Sequence, residues 1–259
     1  MLKTGNWEVA TQANRLKRDA VHFKGWRIGL IDTPPGRPSP HAYVVEQQAG
    51  FVLQAHWHVQ HQFQIVATGA GAIGKHAVRP LAVHYASPES PYGPITTGPE
   101  GVSYLTLRAM ADDGAQFMPE SRTLMRAGLA KYATTVQLDL AGADDGAVAA
   151  ARSVAEVARA DDGMRAWNVL LPAGDTLRGD ALPGSAARYY YVAAGSMEAG
   201  GETLPARSVC FVHDEPEFGL RAGPRGAQVL VLQYPEAALQ GKITDKPFAP
   251  KTPTAGPTA

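Results

Sequence analysis

The stretch GFVLQAHWHVQHQFQIVATG, residues 50–69, decides how this chain is read. On a β-strand, side chains two residues apart share a face, so His56 and His58 point one way and Trp57 the other. Val59-Gln60-His61 supplies a three-residue turn, and Gln62 opens the strand that follows. Two imidazoles and an amide oxygen then converge on one point, the arrangement a divalent transition metal requires. From Gln62 the pattern alternates: Gln62, Gln64 and Val66 take one face, Phe63 and Ile65 the other, until Gly69-Ala70-Gly71 turns the chain. Trp57 and Phe63 therefore read as packing residues, while Tyr85 and Tyr104 suit either layer. Taken alone, His-Trp-His is also what a polar strip on an exposed strand looks like.

Composition bounds the surroundings. At 259 residues the chain is long enough for one large β domain or two small ones. Its 24 basic residues balance 24 acidic ones, leaving no charged field for nucleic acid or an anionic membrane, and no helix-turn-helix pattern is present. No apolar run approaches the ~18 to 20 residues of a membrane-spanning helix, and Met1-Leu2-Lys3-Thr4-Gly5-Asn6-Trp7 lacks the apolar core of a secretion signal. Cys210 is the only cysteine, so no internal disulfide forms and a reducing, cytoplasmic setting is expected. The 27 glycines and 20 prolines, spread between short β-branched runs, favour an all-β sandwich or barrel.

The chain also repeats itself. At an offset of 126 residues, Ile65-Val66-Ala67-Thr68-Gly69 matches Tyr191-Val192-Ala193-Ala194-Gly195. Val83-His84-Tyr85 matches Val209-Cys210-Phe211, and Tyr92-Gly93 matches Phe218-Gly219. One deletion later, Gly98-Pro99-Glu100-Gly101 matches Gly223-Pro224-Arg225-Gly226, and Leu105-Thr106-Leu107 matches Leu230-Val231-Leu232. A period this long means two copies of one domain. In this register His56, His58 and Gln62 fall opposite Leu182, Gly184 and Arg188, so the second copy reads as a structural domain. A buried Arg188 needs a carboxylate (Asp175, Asp180 or Glu215), an opening to solvent, or an anionic ligand.

Between the copies, Ala109–Glu120 reads as an irregular loop with Asp112-Asp113-Gly114 as a turn. Residues 120–130 are open to a short helix capped by Ser121. Ala147–Ala160 permits a helix between the turns Asp144-Asp145-Gly146 and Asp161-Asp162-Gly163, and Val169–Gly174 opens the second copy. The run Trp26–Ile31 suits a strand added to the first sheet, and prolines 247, 250, 253 and 257 mark a disordered or draped tail.

The 50–69 spacing, Gly-(x)5-His-x-His-(x)3-Gln-(x)6-Gly, resembles the first conserved motif of the cupin superfamily, with Gln62 where that motif has Glu. Of the second motif, Gly-(x)5-Pro-x-Gly-(x)2-His-(x)3-Asn, only Pro88 survives, and the third histidine falls on Gly93. The resemblance implies a bicupin: an all-β chain of two double-stranded β-helix barrels. Residues 1–130 form the barrel with the candidate metal site, 131–237 a degenerate second barrel and 238–259 a Pro-rich flexible tail. It implies one divalent transition metal (Fe, Mn, Ni, Zn or Cu) held by His56, His58 and Gln62. The vacancy left by the third histidine falls to His84, if Ala82, His84 and Ala86 face the interior; to Tyr92, a phenol the metal would have to deprotonate; or to water. A hydrogen-bonded core histidine is the plainer reading of His84. His61 reads as an exposed turn residue, and His76 is given no role. A neutral amide in place of a carboxylate weakens affinity and leaves the metal a stronger Lewis acid.

Two functions follow from this resemblance. One is a metal-dependent oxygenase of dioxygenase type, or a related enzyme, acting on a small oxygen-rich molecule. The other is a non-catalytic small-molecule binding or sensor bicupin, since one fold hosts both. Gln64 and Tyr92 are the candidate substrate contacts, and no residue is singled out as catalytic. A small molecule is the expected partner, with neither nucleic acid nor membrane, and apolar strand faces between the barrels point to a homodimer.

Overall fold

The strands that carry the repeat are buried on both faces, which is why they read as near-continuous apolar runs. A computed structural model describes residues 1–32, 39–112, 114–142, 146–183, 187–215 and 217–239. The expectations for Asp113, Asp144, Asp145, Gly184 and the tail from 240 onward lie outside the described residues.

The first half contains β2 (Arg15–Ala20), β3 (Phe23–Ile31), β4 (His41–Gln47), β5 (Val52–Leu53), β6 (His56–Trp57), β7 (Gln62–Ile73), β8 (His76–Val78), β9 (Ala82–Ala86), β10 (Ile95–Arg108), β11 (Gln116–Phe117) and β12 (Ala133–Gln137). They follow β1 (Leu2–Gly5) and one seven-residue helix, α1 (Trp7–Ala13), whose first turn is capped by the Asn6 side chain accepting from the amides of Glu8 and Val9. The second half contains β13 (Ser153–Arg159), β14 (Arg165–Leu171), β15 (Thr176–Arg178), β16 (Arg188–Ala199), β17 (Glu202–Pro205), β18 (Val209–Val212) and β19 (Gly219–Gln233). One antiparallel sheet runs β12-β9-β7-β10-β4-β3-β2, the other β1-β18-β16-β19-β14-β13, and β6 pairs with β11 in a separate ribbon. The chain is all-β, two double-stranded β-helix barrels in succession.

The repeat is written into the registers. Phe63 faces Leu107 across β7 and β10, and Tyr189 faces Leu232 across β16 and β19. Gly69 pairs with Val102 and Gly195 with Ala227, both glycines at φ 72°. A Cβ on either would collide with a carbonyl oxygen, that of Gly101 or of Gly226, so glycine is required in both copies.

Alternation along these strands sorts the core into three layers. Phe63, Ile65, Leu105 and Leu107 of the first sheet pack against Tyr189, Tyr191, Leu230 and Leu232 of the second, joining the barrels back to back within one chain. The opposite faces fill the barrel interiors, with Val45, Val66, Tyr92 and Tyr104 in the first and Trp167, Val169, Tyr190, Val229 and Val231 in the second. Tyr85 belongs to the shared layer and Tyr104 to the first interior.

Two strands cross the division expected at residues 130/131. β1 pairs with β18 of the second barrel, and β12 pairs with β9 of the first. The alanine-rich stretch open to a helix instead supplies edge strand β13 on β14, where Val157 and Ala158 pack on the shared core. Helix propensity yields there to an unpaired sheet edge and apolar side chains that need cover. The helix expected in 120–130 is a single 3-10 turn, Arg122–Leu124, and the Ser121 hydroxyl accepts from Trp57 Nε1 at 2.9 Å instead of capping it. Trp26–Ile31 lies within β3, as its pattern suggests. Among the described residues, no helix is long and apolar enough to cross a membrane.

The glycines separate by environment. Alanine at Gly69 or Gly195 meets both a left-handed backbone and a carbonyl collision, whereas Gly50, at φ 69°, faces open space. Urea unfolding should show Gly69→Ala and Gly195→Ala losing about 2 kcal/mol or more and Gly50→Ala about 1 kcal/mol. Equal losses at all three positions would refute the close-approach argument.

Candidate functional site

Register alone places a set of polar side chains inside the first barrel. Gln64 on β7 is paired with Thr106 on β10, and Thr106 with Tyr43 on β4. Arg108 is paired with His41, and Val45 with Arg27 of β3. These residues line a cavity of about 450 Å³ that also takes in His56, His58, Tyr92, Asp112 and Phe117.

The backbone of β6 exchanges hydrogen bonds with Tyr92, which sets that ring beside His56. His56 Nδ1 lies 2.8 Å from the Gln54 carbonyl and must donate to it, leaving the Nε2 lone pair to accept from Tyr92 Oη at 2.8 Å. Tyr92 Oη accepts in turn from Gln62 Nε2 at 2.5 Å. Gln62 Oε1 accepts from Arg108 Nη2 at 2.7 Å. The donors thus run one way, from Arg108 through Gln62 and Tyr92 to His56.

A second arm holds His58. Its Nδ1 donates to Asp112 Oδ2 at 2.7 Å, while Arg108 Nη2 lies 3.1 and 3.3 Å from the two ring nitrogens. Arg108 Nε is 3.4 Å from the same Asp112 oxygen, and Nη1 donates to Tyr43 Oη at 3.2 Å. Asp112 is placed by its own turn, accepting the Gly114 amide through Oδ1 at 3.1 Å.

Charge states follow from this packing. Burial, followed by the neighbouring His58, pushes His56 down to about 3. Burial and then Arg108 lower His58. Burial works against the Asp112 carboxylate, but Arg108 and the hydrogen bond from His58 hold it at about 2. At neutral pH the site is two neutral imidazoles around one buried Arg108–Asp112 ion pair.

Four of the residues singled out from the sequence, His56, His58, Gln62 and Tyr92, therefore meet in one cluster. His84 does face the interior, its Nδ1 2.9 Å from Thr135 Oγ1 and its ring centroid 4.8 Å from that of Tyr92. Its Nε2 has no hydrogen-bond partner among the described residues, and neither has Oε1 of the cavity residue Gln64. His61, expected to be exposed, is buried: its Nδ1 sits 2.6 Å from Tyr85 Oη in the layer between the barrels. His76 is exposed on β8.

Arg108 and Asp112 were not anticipated. A single arginine closing Leu105-Thr106-Leu107 reads as a strand end, and Asp112 as part of a turn. One signal was available: the offset that matches Leu105-Thr106-Leu107 with Leu230-Val231-Leu232 also sets Arg108 opposite Gln233, while Gln62 stands opposite Arg188. The structure shows what that exchange means. Arg188 donates to Gln233 Oε1 from Nε at 3.0 Å and from Nη2 at 2.9 Å, the first barrel's Arg108–Gln62 contact with its ends exchanged. It also donates to the carbonyls of Gly179, Leu182 and Pro183. Asp175 pairs with Arg152 and Glu215 with the terminal amine, and the oxygens recorded against Arg188 are those of an amide and three carbonyls.

Elsewhere the second interior replaces polar groups with apolar ones. Leu182, Tyr190, Cys210, Phe218 and Val231 occupy the positions of His56, Gln64, His84, Tyr92 and Thr106, and all five are buried in one hydrophobic cluster.

The first barrel offers a divalent metal two imidazoles and one amide oxygen. His56 and His58 meet edge to face with ring centroids 5.3 Å apart, and each keeps Nδ1–H on an oxygen, which directs Nε2 inward. The third donor is taken, because Arg108 Nη2 stands 2.7 Å from Gln62 Oε1 and 3.3 Å from His58 Nε2. In this arrangement the set does not fit a dication, which would lie against a guanidinium. Among the described residues, no group of three or more His, Cys, Asp or Glu side chains is placed to hold a metal ion.

No protein-family model and no curated protein matches the sequence. Solved structures do match. The pirin YhhW of Escherichia coli, in complex with nickel(II), superposes with TM-score 0.57 at 10% identity over 91% of this chain and 99% of its own. Salicylate 1,2-dioxygenase of Pseudoaminobacter salicylatoxidans gives 0.56 at 12% identity over 93% and 85%. Oxalate decarboxylase of Bacillus subtilis gives 0.53 at 12% identity over 89% and 75%. A cupin 2 conserved barrel domain protein of Leptotrichia buccalis covers 89% of this chain with TM-score 0.50 at 8% identity. The likeness spans both barrels, and by its architecture this protein has the cupin fold.

Proposed function

We propose that the first barrel is a small-molecule binding site and that the second barrel is its scaffold. One contrast carries this reading: the first interior keeps a cavity of about 450 Å³ in which a few polar groups, among them His56, His58, Gln64 and Arg108, stand among apolar walls, while the matching second-barrel positions are packed with buried apolar side chains. In the first barrel the only cation at the Gln62–His58 point, among the described residues, is Arg108. A guanidinium there offers fixed positive charge and hydrogen bonds without ligand exchange, which suits recognition of a ligand's oxygens. This is a binding or sensing site, with Tyr92, Gln64, His56 and His58 presented to the ligand.

A metal-dependent enzyme of dioxygenase type is the second reading. It is supported by the nickel(II) bound to the pirin neighbour, by the Mn(II) centres of the oxalate decarboxylase and by the dioxygenase among the neighbours. On the protein itself it is supported by the inward Nε2 atoms of His56 and His58. A metal on those two atoms would supply Lewis acidity, and both the Tyr92 hydroxyl on His56 Nε2 and Arg108 beside His58 Nε2 would first have to withdraw.

Metal analysis of purified protein, with titration by Ni²⁺, Mn²⁺ and Fe²⁺, separates the two. The binding reading expects well under one equivalent of metal in the wild type and a gain of affinity in Arg108→Ala, where the competing cation is gone. Stoichiometric metal in the wild type, lost in His56→Ala and His58→Ala, would establish the second reading instead.

The neutral histidines carry a consequence for stability. Burial holds His56 down to about 3 and His61 and His84 down to about 4. In the unfolded chain each titrates near ~6.5, so below that pH the unfolded state binds more protons and stability falls as pH falls. Between pH 7 and 5 each of the three should cost on the order of 1–2 kcal/mol, read as a falling Tm. A Tm unchanged over that range would contradict the buried neutral assignment.

A further inference from the structure

The cavity has an uneven charge pattern from mouth to floor. Arg18 and Arg27 sit at its mouth on one face of β2 and β3, because Leu16 pairs with Arg27 and Arg18 with Gly25. Arg27 donates to His41 Nε2 at 2.8 Å, and its contact with the exposed Asp32 is a loose 3.8 Å. Arg18 is exposed and has no ion-pair partner among the described residues. Deeper in, Arg108 is matched by the ionised Asp112. Arg27 also stacks over the Tyr43 ring at 4.5 Å, so the charge without an ion pair among the described residues is that of Arg18, Arg27 is only loosely matched, and the floor is close to neutral.

Between these ends the walls are flat and apolar, made by Phe23, Tyr43, Val45, Leu53, Tyr104 and Phe117. On the floor, Gln64 is 4% exposed and its Oε1 has no partner among the described residues. A buried amide oxygen left without a donor loses its hydration with nothing in return, and a ligand that brings a donor recovers that loss.

We infer that the ligand is a flat, mostly apolar carboxylate with a hydrogen-bond donor at its far end. The inference rests on the reading of the first barrel as a small-molecule site. The carboxylate lies between Arg27 and Arg18, the planar body lies against the aromatic walls, and the donor meets Gln64 Oε1. A cationic ligand would face two arginines on entry, and a neutral one would gain nothing from the charge of Arg18 or the loosely matched charge of Arg27.

Calorimetric titration with 4-hydroxycinnamate, its primary amide and its O-methyl ether tests each part, with 4-hydroxybenzoate as a shorter acid. An acid should bind about tenfold or more tightly than its amide, and added salt should weaken only the acid. The methyl ether should lose affinity because it sets an acceptor against Gln64 Oε1, and Gln64→Leu should erase that difference. Arg27→Gln should weaken the acid and leave the amide unchanged; Arg18→Gln, at an exposed position, repeats the test where the fold is not at risk. Equal binding of acid and amide would overturn the anionic assignment while leaving the small-molecule reading intact. Absence of binding by all four probes to the folded protein would overturn both.

Discussion

A guanidinium buried in a β-barrel has to be surrounded by oxygen, and the site is organised around that demand at Arg108. Leaving such a charge unpaired in a low-dielectric interior costs several kcal/mol or more, so its partners are held in place as firmly as it is. Asp112 neutralises it and, through the same oxygen, sets the tautomer of His58. Gln62 accepts from it and turns its own N–H toward Tyr92, which then donates to His56. The polar side chains of the cluster owe their orientation to one cation at the end of β10.

That cation is positioned from outside its own barrel. The carbonyl of Arg108 accepts from Tyr189 Oη at 3.1 Å, and the carbonyl of Leu107 accepts from Tyr234 Oη at 2.6 Å. Both phenols come from the second half and both bonds are buried, so the barrel with a filled interior still fixes where the last turn of β10 lies. Its own Arg188–Gln233 contact repeats the first barrel's arrangement with donor and acceptor strands exchanged. A duplicated barrel can keep a buried Arg–amide clasp in either orientation, because the two positions face each other across the same strand pair. Beside the first copy's clasp lies the cavity, and beside the second's the matching positions are buried apolar side chains.

Much of this was legible in the sequence, and where it was not, the reason is physical. Period-two alternation put His56 with His58 and Gln62 with Gln64, because on a sheet face spacing and direction are locked together. Gly69 and Gly195 marked the repeat because a close backbone approach admits no other residue there. Arg108 escaped because its burial depends on Asp112 and Gln62, neither adjacent in sequence, and an isolated arginine pattern cannot report its partners. His61 escaped for a related reason: a turn is exposed only when nothing packs over it, and here Tyr85 in the layer between the barrels does. The strand at Ser153–Arg159 escaped because its conformation comes from the open edge of β14 and not from its alanines.

The crossed strands bear on the order in which the protein can be built. β1 is made long before its partner β18, which belongs to the last quarter of the described chain. The first barrel's edge β9 stays uncovered until β12 has been made, after the whole of that barrel's other strands. The first sheet is complete once β12 has been made, whereas the β18 edge of the second is closed by β1, a strand from the other end of the described chain. Such long-range pairing slows folding and leaves sheet edges open in the interval. During synthesis, β1 remains a free strand in search of an edge, and holding it off the wrong partner is a task for the nascent chain's surroundings.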